Sequence, residues 1–182
     1  MFLIDSYESP VGTLWYACDE DGLHLTQVWL PGSEPPAEDR TEAGCFPVIK
    51  QTRDWLARYF RGQDPGPCPP LAPQGTPYQM AIWELIREIP YGQTASYKDL
   101  AVRYAEENGL DRPAPHPVGQ AVGRNPIPLI VPCHRVIGAD GNLTGYGGGI
   151  DLKIRLLQLE GVDTGRLKMP RGNRFAKEKG PQ

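Results

Sequence analysis

Residues 127–135 read IPLIVPCHR, a short apolar run that ends in a proline, a cysteine and two basic side chains. A run of this length between turn signals is typical of a buried strand, and we expect one over residues 127–131. Pro132 should end the strand pairing and turn the backbone, so that the side chains of Cys133 and His134 need not point to opposite faces. A histidine next to a cysteine suggests an activated thiolate, although a free cysteine is more commonly a buried structural residue.

The segments on either side of this stretch are more specific. Upstream, residues 118–128 read VGQAVGRNPIP; downstream, residues 138–149 read GADGNLTGYGGG, and a predicted helix then ends at residues 159–161, LEG. This arrangement closely resembles the O6-alkylguanine-DNA alkyltransferases, also called methylated-DNA–protein-cysteine methyltransferases. The resemblance is dense over residues 77–161 and fainter in the N-terminal part, where SPVG at residues 9–12 fits the family's opening hairpin.

The composition indicates an intracellular protein. At 182 residues the chain has room for one ordinary domain or two small ones. It shows neither a leader-like apolar segment near Met1 nor an apolar run long enough to span a bilayer, so we expect a soluble, cytoplasmic protein without membrane contact. Its four cysteines lack the spacing of a disulfide framework, and a protein that needs a free thiol fits a reducing compartment.

The charge is distributed unevenly along the chain. The net charge of −3 divides into −6 for residues 1–76, −1 for residues 77–161 and +4 for residues 162–182. The basic tail, residues 162–182, is therefore the clearest electrostatic signal for a nucleic-acid partner. A solvated, disordered end is an equally good interpretation of such a tail.

We expect an α+β fold in four sections. Residues 1–63 should form an N-terminal domain with an antiparallel sheet and a helix, for which the resemblance implies a ribonuclease H-like architecture. Residues 64–77 contain six prolines and should be a linker. Residues 78–161 should form a mostly helical C-terminal domain with a helix-turn-helix and an active-site cysteine loop, followed by the basic tail.

The pattern of apolar residues and turn signals predicts individual elements within these sections. The expected strands are residues 2–4, 13–17 and 23–29, followed by a polar loop over residues 31–44. The expected helices are residues 47–60, 78–88, 96–107 with a capping box at its start, a short one from Pro117, and 150–160.

The resemblance implies a direct displacement reaction on double-stranded DNA by a monomer that requires no cofactor. Cys133 would attack the alkyl carbon of O6-alkylguanine, or of O4-alkylthymine, and each molecule would act once because a thioether does not revert to a thiol. His134 would be the base, acting through a bridging water, and Glu160 would orient it. Tyr97 would donate a hydrogen bond to the departing guanine. Asn125 would bond nearby backbone and tie the recognition helix to the cysteine loop.

The resemblance also implies a pocket for a base that is flipped out of the stack. One wall would be the glycine-rich loop, residues 144–149, with Tyr146 at the mouth and Gly147 and Gly148 beside the base. Val122 would pack on the base, and the backbone carbonyl of Val136 would accept from the exocyclic amine of guanine.

DNA contacts are expected from the recognition helix, which is the short helix predicted from Pro117, and from its surroundings, at His116, Gln120, Arg124, Arg135 and Arg112. The family usually has an arginine, where this chain has His116, that fills the space left by the flipped base. The loop over residues 108–115 is longer than usual, and Arg112 within it is an alternative source of this wedge.

Some relatives bind a structural zinc ion, and Cys18, His24 and Cys68 fall at or near the matching positions. Structural zinc normally requires four ligands, and a fourth is not evident, so we expect no metal site. Two other functions compete with repair. An alkyltransferase-like DNA-binding module would lack the reactive cysteine, whereas a thiol hydrolase using Cys133, His134 and Glu160 would need an oxyanion hole.

Overall fold

The computed structural model describes residues 2–36, 40–42 and 46–169, and it confirms a mixed α+β fold with a small sheet and five helices. The strands are β1 (Phe2–Ser9), β2 (Gly12–Cys18), β3 (Leu25–Trp29), β4 (Arg40–Glu42), β5 (Ala95–Ser96) and β6 (Val136–Ile137). The helices are α1 (Pro47–Tyr59), α2 (Pro77–Arg87), α3 (Tyr97–Glu107), α4 (Pro115–Gly123) and α5 (Ile150–Leu159). Most of the basic tail, residues 170–182, lies outside the described residues.

The N-terminal sheet has the strand order β3-β2-β1-β4. Strands β1 and β2 form an antiparallel hairpin whose turn places Gly12 at a φ of 120°, a conformation that side chains rarely tolerate. Strand β3 begins at Leu25, two residues later than expected, because the Asp19 carboxylate accepts from the backbone N–H groups of Leu23 and His24 and holds them in a turn. Strand β4 pairs parallel with β1 inside the segment that was expected to be a loop.

Helix α1 covers one face of this sheet and begins at Pro47, a favoured first helical residue. Its buried side includes Trp55, Leu56 and Tyr59, which join side chains of β2 and β3 in the core. The same continuous core contains Trp83 of α2 and further residues of the C-terminal half. The apolar residues of the N-terminal and C-terminal halves of the chain therefore pack into one continuous core.

Three helices of the C-terminal half, α2, α3 and α4, pack against one another. The expected capping box opens α3, where the Ser96 and Asp99 side chains each accept from the other's backbone N–H. Helix α4 begins at Pro115, two residues before the expected start. Its first-turn N–H groups need no helical partner, so both Pro115 and Pro117 are tolerated there.

The expected strand over residues 127–131 is wrong: the segment is a buried turn. Pro126, Pro128 and Pro132 have no N–H to donate to a strand ladder, and the chain instead closes on itself through Val131 N–H to the Ile127 carbonyl at 2.9 Å. Leu129 adopts a φ of 75° in this turn. Only β6, after the cysteine, forms a ladder, pairing parallel with β5.

Within the described parts of the chain, no helix is both long enough and apolar enough to cross a bilayer.

Candidate active site

Cys133 lies at the start of a single 3-10 turn, Cys133–Arg135, that follows Pro132. The turn is closed by the Arg135 N–H, which donates to the Pro132 carbonyl at 2.9 Å. Cys133 is buried, with 7% of its surface exposed, and it lines a cavity of about 320 Å³. The other lining residues come from the segment after β3, from α3 and α4, from the turn after α4 and from the glycine-rich loop: Leu30, Tyr97, Gly119, Val122, Gly123, Asn125, Pro128, Gly145, Tyr146 and Gly147.

His134 and Glu160 form a completely buried pair beside the cysteine turn. The His134 Nε2 atom lies 2.6 Å from Glu160 Oε1, and Arg135 donates through Nε to Oε2 at 2.8 Å. Burial by itself would raise the pKa of Glu160, but the hydrogen bonds and positive charges of His134 and Arg135 outweigh it and hold that pKa at about 2. Glu160 is therefore an anion near neutral pH.

The hydrogen bond to Glu160 fixes the tautomer of His134. A carboxylate can only accept, so Nε2 carries the proton and Nδ1 carries the lone pair. Burial lowers the pKa of His134 despite the neighbouring carboxylate, and the imidazole is neutral near pH 7. Nδ1 is buried and has no hydrogen-bond partner among the described protein groups, which leaves it able to accept a proton.

The resting state of Cys133 is a thiol rather than a thiolate. Burial raises its pKa, and the Asn125 side chain and the Lys153 charge offset this only in part. The sequence suggested an activated thiolate, and the structure shows why activation needs a base. A cysteine in an apolar cavity does not ionise without one.

Asn125 connects the end of α4 to the cysteine turn. Its Nδ2 donates to the Val131 carbonyl at 2.8 Å, and its Oδ1 accepts from the Ile127 N–H at 3.0 Å. These are the local backbone bonds that an asparagine before a proline was expected to make. They hold together the buried turn that leads to Cys133 in the wall of the cavity.

Lys153 is a buried cation of the site that the sequence analysis missed. Its Nζ donates to the Val136 carbonyl at 2.6 Å and to the Thr144 carbonyl at 3.0 Å. Burial lowers its pKa to about 8, although the nearby Cys133 favours the charged form. Its signal in the sequence was a lysine on the apolar side of α5, next to Leu152 and one turn before Leu156.

The expected substrate-binding residues are only partly brought together. Val122, Tyr146 and Gly147 line the cavity, and the Tyr146 hydroxyl is buried without a described partner. Gly148 does not line it; a Cβ at this position would lie 2.5 Å from the Leu152 side chain, so the residue serves close packing of the loop on α5. The Val136 carbonyl, expected to accept from guanine, already accepts from Lys153.

The expected DNA contacts fall into two groups. The side chains of His116 and Gln120 on α4, of Arg124 directly after it and of Arg112 before it are exposed. Arg135 is not available for DNA, because its guanidinium is buried and donates to Glu160 and to the Ile89 carbonyl. The sequence predicts a DNA contact at Arg135, and this prediction is wrong: the residue is the internal counter-ion of Glu160.

The three zinc-ligand candidates do not come together. The Cys18 thiol donates to the Leu3 carbonyl, His24 pairs with Asp19 at 2.8 Å, and Cys68 accepts from Arg87. In residues 2–36, 40–42 and 46–169 no group of three or more histidine, cysteine or acidic side chains is placed to hold a metal ion. The donor set does not fit structural zinc.

Comparison with known proteins bears on the whole site. Residues 77–162 match the family described as 6-O-methylguanine DNA methyltransferase, DNA binding domain. Methylated-DNA–protein-cysteine methyltransferases of Methanosarcina acetivorans and Mycobacterium bovis are 39% and 47% identical, over 85% and 84% of this chain and 96% and 88% of their own lengths.

The crystal structure of Mycobacterium tuberculosis OGT in complex with DNA superposes with a TM-score of 0.71 at 38% identity, covering 90% of this chain and 94% of that one. Identity at this level over nearly the full length of the relatives, together with the buried Cys133 turn, leaves one assignment. The chain belongs to the methylated-DNA–protein-cysteine methyltransferases.

Proposed function

We propose that Cys133 is the residue that accepts the alkyl group. As a member of its family, the protein repairs DNA by transferring an alkyl group from a damaged base to one of its own cysteines. The observation that carries the assignment is the position of the Cys133 thiol in a cavity beside the buried His134–Glu160 pair. The cavity volume of about 320 Å³ lies in the range of small-ligand sites, and its walls combine apolar surface with few polar groups.

In the proposed reaction, His134 Nδ1 takes the thiol proton through a bridging water. The sulfur then forms a bond to the alkyl carbon, and the bond between that carbon and guanine O6 breaks. The electron pair stays on the guanine, to which Tyr97 donates a proton, and the proton held by His134 returns to Tyr97 through solvent. The products are S-alkylcysteine and an unmodified guanine, so each molecule acts once.

The neutral state of His134 supports this role. A base must be unprotonated to act, and burial keeps the imidazole neutral while Glu160 directs its lone pair away from the carboxylate. As the thiol proton arrives, the carboxylate stabilises the imidazolium that forms. Burial, which raises the pKa of Tyr97, keeps that hydroxyl protonated and ready to donate.

For DNA, we propose that α3 and α4 act as a helix-turn-helix that delivers a flipped base to the cavity. Helix α4 has one face toward the cavity and another toward solvent, where DNA could bind. Gly119 and Val122 line the cavity, while His116 and Gln120 are exposed. A base entering the cavity would pass beside this helix. Arg112 and Arg124 add positive charge at the two ends of the helix, where phosphates would lie.

We also propose the substrate, the cellular location and the organisation of the chain that the sequence predicts. The substrate is O6-alkylguanine, and also O4-alkylthymine, in duplex DNA, and the protein acts as a cytoplasmic monomer without a cofactor. The N-terminal section, residues 1–63, is proposed to be ribonuclease H-like and joined through residues 64–77 to a C-terminal section over 78–161.

Mass spectrometry tests the acceptor. After incubation with a duplex containing O6-methylguanine, we expect the intact protein to gain the mass of one methyl group, located in the peptide that contains Cys133. Cys133→Ala should abolish this gain while DNA binding remains. Cys68→Ala, which removes another partly accessible thiol, is the control and should methylate fully. Methylation of Cys133→Ala at any other cysteine would overturn the assignment.

A further inference from the structure

The hydroxyl of Tyr59 enters the buried pair of His134 and Glu160 from the N-terminal half of the chain. It donates to Glu160 Oε1 at 2.7 Å and lies 3.3 Å from His134 Nε2, while Nε2 itself is 2.6 Å from the same Oε1. The three atoms form a closed triangle. One carboxylate oxygen thus receives both the proposed base and a tyrosine that the sequence analysis did not single out.

Tyr59 is held rigidly in this position. It is the last residue of α1 and has no exposed surface. Its ring stacks on Trp55 at 5.4 Å and meets the rings of Phe60, Tyr91 and His134 edge to face. A side chain fixed on four sides directs its hydroxyl to one point, which is Glu160 Oε1.

We propose that Tyr59 is a positioning residue for alkyl transfer, whose hydroxyl shares Glu160 Oε1 with His134 and so sets how strongly the carboxylate polarises the imidazole. The inference rests on the proposed roles of His134 and Glu160. It assigns part of the reactivity to the N-terminal half, outside the matched family region at residues 77–162.

The carboxylate is saturated with donors. Oε1 accepts from Tyr59, His134 and an Arg135 guanidinium nitrogen, and Oε2 accepts from Arg135 Nε and the Gly92 N–H. Each donor draws on the same negative charge, so the loss of one strengthens the attraction of the carboxylate for the others. Without the Tyr59 hydroxyl, Oε1 would favour the protonated imidazolium more strongly.

The other titratable groups around the pair do not replace this effect. The groups that interact with His134, Glu160 or Tyr59 are Arg135, Lys153, Tyr91 and Tyr146. The two cations, Arg135 and Lys153, oppose protonation of His134, and both keep their charge when the tyrosine hydroxyl is removed. Burial raises the pKa of Tyr59 well above its ordinary value, so the hydroxyl stays a donor across the working pH range.

The test is the pH dependence of the transfer rate to O6-benzylguanine in Tyr59→Phe, which keeps the ring and removes only the hydroxyl. Transfer should fall at low pH as His134 becomes protonated. In the variant this acid limb should move upward by about half a pH unit, because a stronger pull from Glu160 raises the pKa of His134. The rate on the alkaline plateau should change much less.

Tyr91→Phe is the matched control. Its hydroxyl belongs to the same aromatic cluster but donates to the Leu159 carbonyl at 3.3 Å instead of the carboxylate. It should leave the acid limb in place. In full-length protein with 3-fluorotyrosine at position 59, a stronger donor without loss of packing, the limb should move in the opposite direction.

Two outcomes separate this inference from the proposed function. If His134→Gln retains the acid limb of the wild type, the proposed base is wrong. If His134→Gln loses the limb while Tyr59→Phe and the fluorinated protein keep it where it was, the base stands and Tyr59 serves packing alone. A Tyr59→Phe protein that is merely less stable, with an unmoved limb, would contradict the inference in the same way.

Discussion

At the scale of single residues, Lys153 is the positive charge that favours the thiolate form of Cys133, against the burial that disfavours it. Its ammonium group bonds two carbonyls, one from the strand that follows the cysteine turn and one from the glycine-rich loop, and so joins two walls of the site. Its charge also lowers the pKa of the buried thiol. The same group therefore has an electrostatic and a structural function.

Lys153→Met should slow transfer at pH 7 by roughly tenfold or more, because the loss of a nearby cation raises the pKa of the buried Cys133 thiol further. Single-turnover kinetics with O6-methylguanine DNA measure the rate. Because the pKa of Lys153 is about 8, the charge is present below that pH and lost above it, and the gap between wild type and variant should narrow as pH rises through 8.

Arg155→Met supplies the comparison for Lys153→Met. It removes one positive charge from the same helix at an exposed position and should leave the rate close to wild type. Equal rates in the two variants at pH 7 would contradict the electrostatic role of Lys153.

The sequence identified the residues whose chemistry is local. Cys133, His134 and Asn125 lie in one short stretch, and their adjacency to prolines and glycines already predicts a turn. Tyr59 and Lys153 could not be identified in this way, because a tyrosine and a lysine on amphipathic helices have ordinary explanations. Their importance arises from contacts between atoms that are far apart in sequence, such as Tyr59 with Glu160.

At the scale of elements, the turn after α4 was the main error, and its cause is the proline spacing. Apolar residues at 127–131 predicted a strand, but prolines at 126, 128 and 132 remove the donors that a central strand must supply. The helices were predicted to within two residues, since caps and first-turn prolines mark their ends. Strand β4 was missed because it is a three-residue pairing in a polar segment.

Helix α4 presents His116 where the family usually has an arginine. Substitution of this residue tests whether its side chain fills the gap that a flipped base leaves in the duplex. An arginine offers a permanent charge and a planar guanidinium that can stack in the gap left by a flipped base, whereas the imidazole is shorter. His116→Arg should therefore tighten duplex binding and speed repair of duplex substrate, with little effect on O6-benzylguanine. Fluorescence anisotropy and single-turnover rates measure the two effects.

Gln120→Arg is the control for charge alone, because it adds the same group one turn further along the exposed side of α4. It should raise affinity for damaged and undamaged duplex alike and sharpen the salt dependence. If His116→Arg leaves duplex affinity unchanged while Arg112→Ala weakens it, the longer loop supplies the wedge and the assignment of His116 is wrong.

At the scale of the whole molecule, the two halves of the chain are joined by backbone bonds as well as by the shared core. The Val28 N–H of β3 donates at 2.9 Å to the carbonyl of Pro126, which directly precedes the buried turn over residues 127–131. The proline-rich segment is bonded along β3, where Leu25 pairs with Leu71. The segment that the composition marked as a linker is thus bound to the edge of the sheet along part of its length.

Glu160 has the most distant connections of this kind, since its carboxylate bonds Tyr59 of α1, Gly92 before β5, and His134 and Arg135 of the cysteine turn. Its pKa is about 2 in the folded protein against an ordinary 4.5. A lowered carboxyl pKa stabilises the fold above the ordinary value and loses that contribution as pH falls through the folded value. At about 1.4 kcal/mol per pH unit, the free energy of unfolding should drop by on the order of 3 kcal/mol between pH 4.5 and 2.

Urea denaturation at a series of pH values measures this loss, and one transition is expected because both halves share the core. Glu160→Gln should be less stable at pH 7, since Arg135 and His134 lose a charged acceptor inside the protein, and its stability should depend much less on pH below 4.5. Glu84→Gln, which changes an exposed carboxylate paired with Arg87, should follow the wild-type curve. If Glu160→Gln instead ran parallel to the wild type down to pH 2, other carboxylates would carry the acid sensitivity. The Glu160 network would then position the base without joining the halves of the fold.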